Sequence, residues 1–430
     1  MEKIVINGGL PLNGTVEISG MKNAAVAVIF ATILTEDKCV IENIPDIIDV
    51  RVSLEILSHM GVRVRRLKRD TVEIDATHCN GGTSPYDLVR KMRASYYLLG
   101  AELGRFGRAY VAYPGGCDFG VRPIDQHIKG FEALGVDVYV EGGYIEAVAP
   151  REGLRGNNMF FDINTVGGTI NLILAAVRAN GVTVIENAAR EPHIVDVANF
   201  LNTCGAKIMG AGTDTIKIRG VPRLHGCSYA IIPDMIEAGT YMIAAAATGG
   251  TLRINNIIPK HLESITAKLL EMNADVRIDD DYVVVSRTER LHRANIKTLP
   301  YPGFPTDMQP QICALMCLAD GISMLSESVW DNRFRYVEEL KRMGASIKVD
   351  GKTAVIEGGV PLSGANVRAT DLRAGAALVI AGLAVNGHTE IEDIYYIERG
   401  YDDIVHKLQG VGADIRKVIL PDPVLYDRAN

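Results

Sequence analysis

The stretch "LSHMGVRV", residues 57–64, places a glycine four residues after a leucine and continues into alternating apolar positions. This order predicts a helix that ends on a left-handed residue and leads directly into a strand, because glycine adopts positive φ without steric cost. The pattern recurs five times, with asparagine once in place of glycine and phenylalanine once in place of leucine. The other copies are "FEALGVDV" (131–138), "LNTCGAKI" (201–208), "LLEMNADV" (269–276), "LKRMGASI" (340–347) and "LQGVGADI" (408–415). The sequence therefore predicts six units of about 70 residues each.

Each unit also carries a second helix upstream of this pattern. Two examples are "KNAAVAVIFATIL" (22–34) and "GGTINLILAAVRANG" (167–181), which are apolar on nearly all sides. Helices of this kind are expected to be buried, because no face is suited to water. Strands are expected between and after the helices. We therefore predict an α/β fold in which three units pack around a centre in each of two globular domains.

A third recurring pattern indicates where the domains divide. The segments "GGLPLNGTVEI" (8–18), "GVPRLHGCSYAI" (220–231) and "GGVPLSGANVRA" (358–369) share glycine, proline and leucine at similar positions. Because one copy lies at the N-terminus, we expect the first strands to belong with the C-terminal half. The predicted division is an inserted domain at residues 22–229 and a discontinuous domain formed by residues 1–21 and 230–430.

Composition excludes several classes of protein. A net charge of −7 argues against nucleic acid or acidic membranes as general partners. Seven scattered cysteines without a CxxC pair predict free thiols in a reducing, cytoplasmic setting, and neither a disulfide framework nor a zinc site. We expect no signal peptide, because "MEKIVINGG" (1–9) has no basic region followed by an apolar core. We expect no membrane span, because no apolar run is long enough. The sequence does not indicate an oligomeric state.

The starts of the six buried helices differ in charge. Three of them supply cationic or neutral groups, which include Lys22, Asn23 and Arg93, whereas the other three supply Asp234, Asp307 and Asp371. Aspartate is a favoured helix N-cap, so each carboxylate has a structural explanation. The functional alternative is a cleft between domains, with a cationic wall that binds an anion and an acidic wall that supplies a general base.

The loop "PGGCDFGVRP", residues 114–123, departs from the repeat pattern and is rich in glycine. Cys117 could be a buried structural thiol, but it lacks the apolar helical surroundings of Cys204, Cys313 and Cys317. A reactive thiol is favoured, because Arg122 would lower its pKa and could also bind a phosphate. His127 follows nearby, either as an auxiliary group or as a residue of a helix start.

The sequence resembles the enolpyruvyl transferases over essentially its whole length. The motifs that carry the resemblance include "SGMKNAA" (19–25), "PGGCDFGVRPIDQH" (114–127), "FPTDMQPQ" (304–311), "ATDLRA" (369–374) and "IERGYDDI" (397–404). The resemblance implies a two-domain inside-out α/β barrel built from six repeated units with buried helices. It also implies transfer of the enolpyruvyl group of phosphoenolpyruvate to the 3′-hydroxyl of UDP-N-acetylglucosamine, with release of phosphate. This reaction is the first committed step of peptidoglycan synthesis and needs neither a metal nor a bound cofactor.

The resemblance also assigns roles to individual residues. Lys22, Arg122 and Arg399 would hold the phosphate and carboxylate of phosphoenolpyruvate, with Asn23 nearby. Cys117 would protonate the methylene carbon, could form a covalent adduct, and would be alkylated by fosfomycin. Asp307 would accept the proton of the sugar hydroxyl, and Asp371 would assist at the reacting centre. The UDP-sugar site would be lined by Arg93, Arg122, Pro123, Ile124, Asp125, Gln126, Thr165, Val166, Gly167, Asp307 and Val329.

Two alternative functions are weighed against this one. The first is a shikimate-pathway enolpyruvyl transferase, which shares the architecture but lacks the loop that contains Cys117. The second is a non-catalytic paralogue that binds UDP-sugars and regulates wall synthesis, which the retained Lys22, Cys117, Asp307 and Arg399 argue against. The sequence departs from the family at Ile48, where related enzymes often carry a lysine near the phosphate. That departure puts one anion contact in doubt.

Overall fold

A computed structural model describes residues 2–81, 86–113 and 124–419, and the chain divides into two compact units. The first, here called the terminal unit, comprises residues up to 18, residues 236–298 and residues from 306 onward. The second, here called the inserted unit, comprises residues 19–235 and 299–305. The repeat pattern gives no signal for residues 299–305, and the sequence-based domain boundaries at 22 and 229 stay a prediction.

The described residues contain fourteen α-helices in two classes that alternate along the repeats. The helices richest in buried residues are Lys22–Ala31, Tyr97–Phe106, Val166–Ala176, Met235–Thr248, Gln309–Cys317 and Leu372–Ala384. The outer helices are Ile48–His59, Asp125–Ala133, Pro192–Thr203, Glu263–Glu271, Val337–Arg342 and Ile404–Gln409. Two short helices, Tyr86–Val89 and Tyr395–Glu398, complete the set. In helix Gln309–Cys317 every residue is buried, which confirms the predicted burial of this helix class.

All six outer helices end as the repeat pattern predicts. The glycine or asparagine that follows each helix lies at positive φ, from 68° at Asn273 to 99° at Gly205. The next N–H donates to the carbonyl of the leucine or phenylalanine five residues earlier, over 2.9 to 3.1 Å. This is the Schellman motif, which satisfies carbonyl groups that the helix itself cannot pair. A strand begins within two residues of each turn, so the predicted helix-to-strand connection is confirmed.

Each repeat is associated with one β-sheet. As far as the structure describes it, the terminal unit contains three four-stranded sheets. The first has the strand order Asp275–Ile278, Tyr282–Ser286, Thr251–Asn255, Asn13–Glu17. The second has the order Asn295–Lys297, Gly321–Ser326, Thr353–Gly358, Ser346–Asp350. The third has the order Asn366–Arg368, Gly387–Glu392, Glu2–Gly8, Asp414–Ile419. The N-terminal strand Glu2–Gly8 pairs antiparallel with both Gly387–Glu392 and Asp414–Ile419.

Among its described residues, the inserted unit contains two four-stranded sheets and one three-stranded sheet. One four-stranded sheet has the order Ser228–Ala230, Lys38–Glu42, Thr71–Asp75, Arg63–Lys68. The other has the order Asn158–Phe160, Val182–Glu186, Thr215–Arg219, Lys207–Met209. The three-stranded sheet has the order Arg108–Ala112, Tyr144–Val148, Asp137–Glu141. The three-stranded sheet belongs to the repeat whose loop, residues 114–123, lies outside the described residues.

The recurring glycine, proline and leucine pattern marks a parallel edge strand. Strands Asn13–Glu17, Ser228–Ala230 and Asn366–Arg368 each pair in parallel with the strand that follows a buried helix. The chain approaches its neighbour closely just before two of these strands. A Cβ atom on Gly226 would lie 1.9 Å from the carbonyl oxygen of Lys38, and one on Gly364 would lie 2.3 Å from that of His388. Only glycine fits there, which explains why this residue recurs in the pattern.

Within the described residues, no helix is both long enough and apolar enough to cross a membrane.

Candidate active site

In the inserted unit, Lys22 is fixed at the start of a buried helix. Its Nζ lies 2.9 Å from Oδ2 of Asp49, whose side chain is only 5% exposed. Its backbone N–H donates to Oδ2 of Asp234 over 3.2 Å. Asn23 is the next helical residue and is half-buried. A lysine beside the N–H groups of a helix start provides positive charge that can bind an anion.

Asp49 is a partner that sequence reasoning did not single out. It lies in the first turn of helix Ile48–His59, directly after the position where the sequence departs from the family pattern. Ile48 begins that helix and is half-buried. The carboxylate of Asp49 compensates the charge of Lys22 and restricts where its ammonium group can lie. The interaction joins two different helices, so residue spacing along the chain gives no signal for it.

The predicted UDP-sugar residues at 124–126 are found at another helix start. Ile124 is the N-cap of helix Asp125–Ala133, and Gln126 is buried within its first turn. The Gln126 amide donates to Oδ2 of Asp125 over 2.9 Å and to Oδ2 of Asp162 over 3.2 Å, and its oxygen accepts from the Asp162 N–H over 3.0 Å. Gln126 therefore connects its own helix to the segment that leads to Thr165.

Residues 165–167 form the start of a further buried helix. Thr165 is the N-cap of helix Val166–Ala176, and its hydroxyl accepts from the N–H of Gly168 over 3.2 Å. A Cβ on Gly167 would lie 2.6 Å from the Tyr96 hydroxyl oxygen, so a side chain at this position would collide with the tyrosine. The structure thus places Thr165, Val166 and Gly167 together at one helix N-terminus.

His127 belongs to a buried polar network beside these residues. The Asn171 amide donates to Nδ1 of His127 over 2.9 Å and to the carbonyl of Tyr96 over 3.0 Å. Burial lowers the pKa of His127 to about 4, so its ring is neutral at neutral pH. The edge of the ring contacts Tyr96, with centroids 4.8 Å apart. His127 is therefore positioned as a packing and hydrogen-bonding residue at this helix start.

Arg93 begins the 3₁₀ helix Arg93–Tyr96 of the inserted unit and is half-buried. The other predicted site residues of this unit, Cys117, Arg122 and Pro123, lie outside the described residues.

In the terminal unit, Asp307 is held by two arginines. Its Oδ2 accepts from Nε and Nη2 of Arg373 over 3.1 and 3.0 Å, and its Oδ1 accepts from Nη2 of Arg333 over 3.4 Å. Both arginine side chains are almost fully buried, whereas the Asp307 side chain is 31% exposed. The guanidinium groups orient the carboxylate and compensate its charge, which leaves an accessible acceptor for a proton.

Asp371 has the capping role that the sequence offered as one of two explanations. It is the N-cap of helix Leu372–Ala384, and its Oδ1 accepts from the N–H groups of Arg373 and Ala374 over 2.8 and 3.0 Å. Its Oδ2 is buried and has no hydrogen-bond partner among the described residues. The structural explanation thus accounts for one oxygen, and the second remains available for chemistry.

Val329 lies on a loop that Glu327 organises. The buried Glu327 carboxylate accepts from the N–H groups of Val329 and Trp330 over 2.8 and 3.1 Å. It also accepts from the Thr306 hydroxyl over 3.0 Å, directly beside Asp307. Sequence reasoning did not identify Glu327, although it connects two of the predicted site residues of this unit.

Arg399 directly follows helix Tyr395–Glu398 and is 7% exposed. The inserted unit thus contributes a lysine at one helix start, and the terminal unit contributes two acidic residues and a buried arginine. The predicted meeting of these groups in one cleft stays a prediction.

Comparison with known sequences shows extensive similarity to one group of enzymes. A model of the EPSP synthase (3-phosphoshikimate 1-carboxyvinyltransferase) family matches residues 6–408. UDP-N-acetylglucosamine 1-carboxyvinyltransferase 3 of Caldanaerobacter subterraneus subsp. tengcongensis is 57% identical over 97% of this chain and 100% of its own length. UDP-N-acetylglucosamine 1-carboxyvinyltransferase 2 of Clostridium acetobutylicum is likewise 57% identical, over 97% of this chain and 99% of its own length.

Solved structures share the fold. The enolpyruvyl transferase NikO from Streptomyces tendae is 28% identical, with a TM-score of 0.87 over 98% of this chain and 99% of its own. An EPSP synthase from Acinetobacter baumannii, at 17% identity, has a TM-score of 0.74 over 97% of this chain and 100% of its own. The predicted enolpyruvyl transferase fold is therefore confirmed.

Proposed function

Because this chain belongs to the EPSP synthase family, we propose that it transfers the enolpyruvyl group of phosphoenolpyruvate to the 3′-hydroxyl of UDP-N-acetylglucosamine and releases phosphate. The observation that carries this proposal is the 57% identity, over 97% of the chain, to relatives named for that acceptor. The reaction would be the first committed step of peptidoglycan synthesis. It would take place in the cytoplasm, in keeping with the free cysteines of the described residues.

The proposed chemistry is an addition followed by an elimination. Cys117 donates a proton to the methylene carbon of phosphoenolpyruvate, while the sugar hydroxyl oxygen bonds to the neighbouring carbon and loses its proton to Asp307. The resulting tetrahedral intermediate carries both the sugar and the phosphate. The Cys117 thiolate left by the first step then takes a proton from the methyl group, which restores the double bond and expels phosphate. The proton held by Asp307 passes to the departing phosphate, so that atoms and charges balance.

The described contacts support the role of Asp307 as the base. Its two arginine partners hold the carboxylate in one orientation, and nearly a third of the side chain stays exposed to an incoming hydroxyl. Asp371 directly precedes the helix that supplies Arg373, and its Oδ2, which has no partner among the described residues, offers a second acceptor at the reacting centre. Arrangements of this kind lower a barrier by positioning reacting groups before the reaction begins.

Binding of phosphoenolpyruvate would rest on Lys22, Arg122 and Arg399, with Asn23 nearby. Asp49 keeps the Lys22 ammonium in place until a phosphate competes for it. The UDP-sugar would be contacted by Arg93, by residues 122–126 and 165–167, by Asp307 and by Val329. Gln126 and Thr165 are engaged with protein partners, so their backbone groups are the better candidates for ligand contacts.

A phosphate-release assay with two acceptors tests the proposal. With phosphoenolpyruvate and UDP-N-acetylglucosamine the protein should release phosphate, whereas shikimate 3-phosphate should give none. Release with shikimate 3-phosphate alone would identify the alternative enolpyruvyl transferase. Release with neither acceptor, while the nucleotide sugar still binds, would identify the non-catalytic paralogue.

Variants in the same assay test the assigned roles. Asp307→Asn should lower kcat by roughly 10²–10⁴-fold, the usual contribution of a general base. Asp320→Asn, at an exposed aspartate of the same unit, is the matched control and should keep parental activity.

Cys117→Asp should remain active because a carboxylic acid can also donate a proton, whereas Cys117→Ser should be inactive. Parental activity in Cys117→Ser would contradict the acid role.

A further inference from the structure

Three cysteines that are distant in the sequence converge in the inserted unit. Cys39 lies in strand Lys38–Glu42, Cys204 is the C-cap of helix Pro192–Thr203, and Cys227 directly precedes strand Ser228–Ala230. Their sulfur atoms all lie within 4.8 Å of one another, and those of Cys204 and Cys227 are 3.4 Å apart. None of the three belongs to the candidate active site. The proposed enolpyruvyl transfer leaves the cluster unexplained.

The spacing suits a metal ion with thiolate ligands. Zinc binds cysteine sulfur at about 2.3 Å, so two sulfurs in its tetrahedral shell lie roughly 3.8 Å apart. The sulfurs of Cys204 and Cys227 lie 3.4 Å apart, close to that value, and no separation among the three exceeds 4.8 Å. Small side-chain rotations would bring all three sulfurs to equal distance from a central ion. We propose that Cys39, Cys204 and Cys227 bind one Zn²⁺ ion, with water in the fourth tetrahedral position.

The backbone holds the three ligands in a fixed arrangement. The Val40 N–H donates to the Cys227 carbonyl over 2.8 Å, and the His225 N–H donates to the Cys204 carbonyl over 2.9 Å. Parallel pairing of strand Ser228–Ala230 with strand Lys38–Glu42 fixes the register between Cys227 and Cys39. The site is therefore preorganised by the fold, which lowers the entropy that binding must overcome.

Burial and access also fit a structural metal. Cys39 and Cys204 have no exposed surface, whereas Cys227 is half-buried and provides a route for the ion. The Thr35 hydroxyl lies 3.6 Å from the Cys39 sulfur, so the cluster also has a polar neighbour. Buried cysteines often serve only as small apolar side chains. A purely apolar role does not explain why three sulfurs from three separate segments lie within 4.8 Å of one another.

A bound ion cross-links two repeats. The ion joins the outer helix of the third repeat to the first sheet of the same unit. Since the unfolded chain cannot present these cysteines together, the ion stabilises the folded state by mass action. The sequence predicts no zinc site, because its cysteines lack the close pairs that signal one. Here the fold supplies the proximity instead.

Cobalt substitution tests the site directly. The full chain, in a Cys117→Ser background that removes the loop thiol, is stripped with a chelator under a non-thiol reductant and titrated with Co²⁺ and then Zn²⁺. We expect one ion per chain, a thiolate-to-cobalt charge-transfer band, and its disappearance when Zn²⁺ displaces the cobalt. Zn²⁺ should also raise Tm.

Matched variants make the outcome decisive. Cys204→Ala and Cys227→Ser should weaken Zn²⁺ binding at least about 100-fold and abolish the zinc-dependent rise in Tm. The control is Cys313→Ala with Cys317→Ala, which removes two buried thiols of helix Gln309–Cys317 and should bind like the parent. If Cys204→Ala does not fold, the half-buried Cys227→Ser decides alone. The proposal is overturned if no charge-transfer band forms, if the variants bind like the parent, or if Cys204 and Cys227 form a disulfide in place of binding metal.

Discussion

At the level of single residues, Asp371 has one oxygen in a helix cap and one without a described partner. Asparagine is also a favoured N-cap, so Asp371→Asn should keep the helix start while it removes the charge. We expect this variant to keep Tm within a few degrees of the parent but to lower kcat by at least about tenfold. Thermal unfolding and phosphate release, measured on the same preparation, check both expectations.

Asp371→Ala provides the comparison. It removes the cap as well as the charge, so it should destabilise the protein by about 1 kcal/mol in addition to the loss of kcat. If Asp371→Asn retained parental kcat, the carboxylate would have only the capping role.

Glu102 is a buried acid whose stability effect depends on pH. It is 2% exposed, and burial raises its pKa from the usual 4.5 to about 8. At pH values between 4.5 and 8, Glu102 is protonated in the folded state but ionised in the unfolded state. The stability that Glu102 contributes is therefore lost as the pH rises from 4.5 to 8. Glu102→Gln removes this dependence. The variant should have a higher Tm than the parent at pH 8, by an amount equivalent to a few kcal/mol at most, and a similar Tm near pH 4.5.

Thermal unfolding of both proteins across this pH range tests the expectation. Glu132→Gln, at an exposed glutamate of the same unit, should follow the parent at every pH. If the difference in Tm between Glu102→Gln and the parent stayed constant across this pH range, the raised pKa of Glu102 would be contradicted.

Sequence reasoning named candidate residues but not their partners. Aligned repeats placed Lys22 and three aspartates at equivalent helix starts, and the family resemblance then selected Asp307 as the base. Asp49, Arg373 and Glu327 did not, although each contacts or organises a predicted site residue. Their contacts connect segments that are far apart in sequence, and no local pattern records such a distance.

At the level of elements, the left-handed turn after each outer helix can be tested with one matched pair of glycines. Gly412 has φ of 95°, and a Cβ there would meet nothing within 4 Å, so Gly412→Ala isolates backbone strain. We expect a loss of about 1–2 kcal/mol of stability. Gly410, two residues earlier, has φ of −60°. Gly410→Ala should be neutral or stabilising by roughly 0.4–1 kcal/mol.

Urea unfolding of the two variants and the parent measures both effects. A loss of similar size in both variants would show that added volume, and not the positive φ, is responsible.

The elements were predictable where one local rule decides the structure. A glycine or asparagine after an amphipathic segment was sufficient to predict all six helix ends. The pairing of strand Ser228–Ala230 with strand Lys38–Glu42 was not predicted, because it joins residues nearly the length of the inserted unit apart. The three-stranded sheet of the second repeat was also unforeseen, although the departure of residues 114–123 from the repeat pattern marked that repeat as different.

At the level of the whole molecule, internal repetition is the property from which the fold class was predicted. Six copies of one turn predicted the fold class, and the family resemblance supplied the reaction. The cysteines show the limit of this approach. Their odd number and scatter, without a CxxC pair, predicted free thiols and no zinc site, yet folding brings Cys39, Cys204 and Cys227 within 4.8 Å of one another.

A reaction run in D₂O tests most directly whether the chain transfers an enolpyruvyl group by addition and elimination. Protonation of the methylene carbon followed by loss of a proton from a methyl group must exchange hydrogen with solvent. Mass spectrometry of the product should show UDP-N-acetylglucosamine carrying one enolpyruvyl group, with deuterium in its methylene. No transfer to the sugar, or transfer without deuterium, would contradict the account.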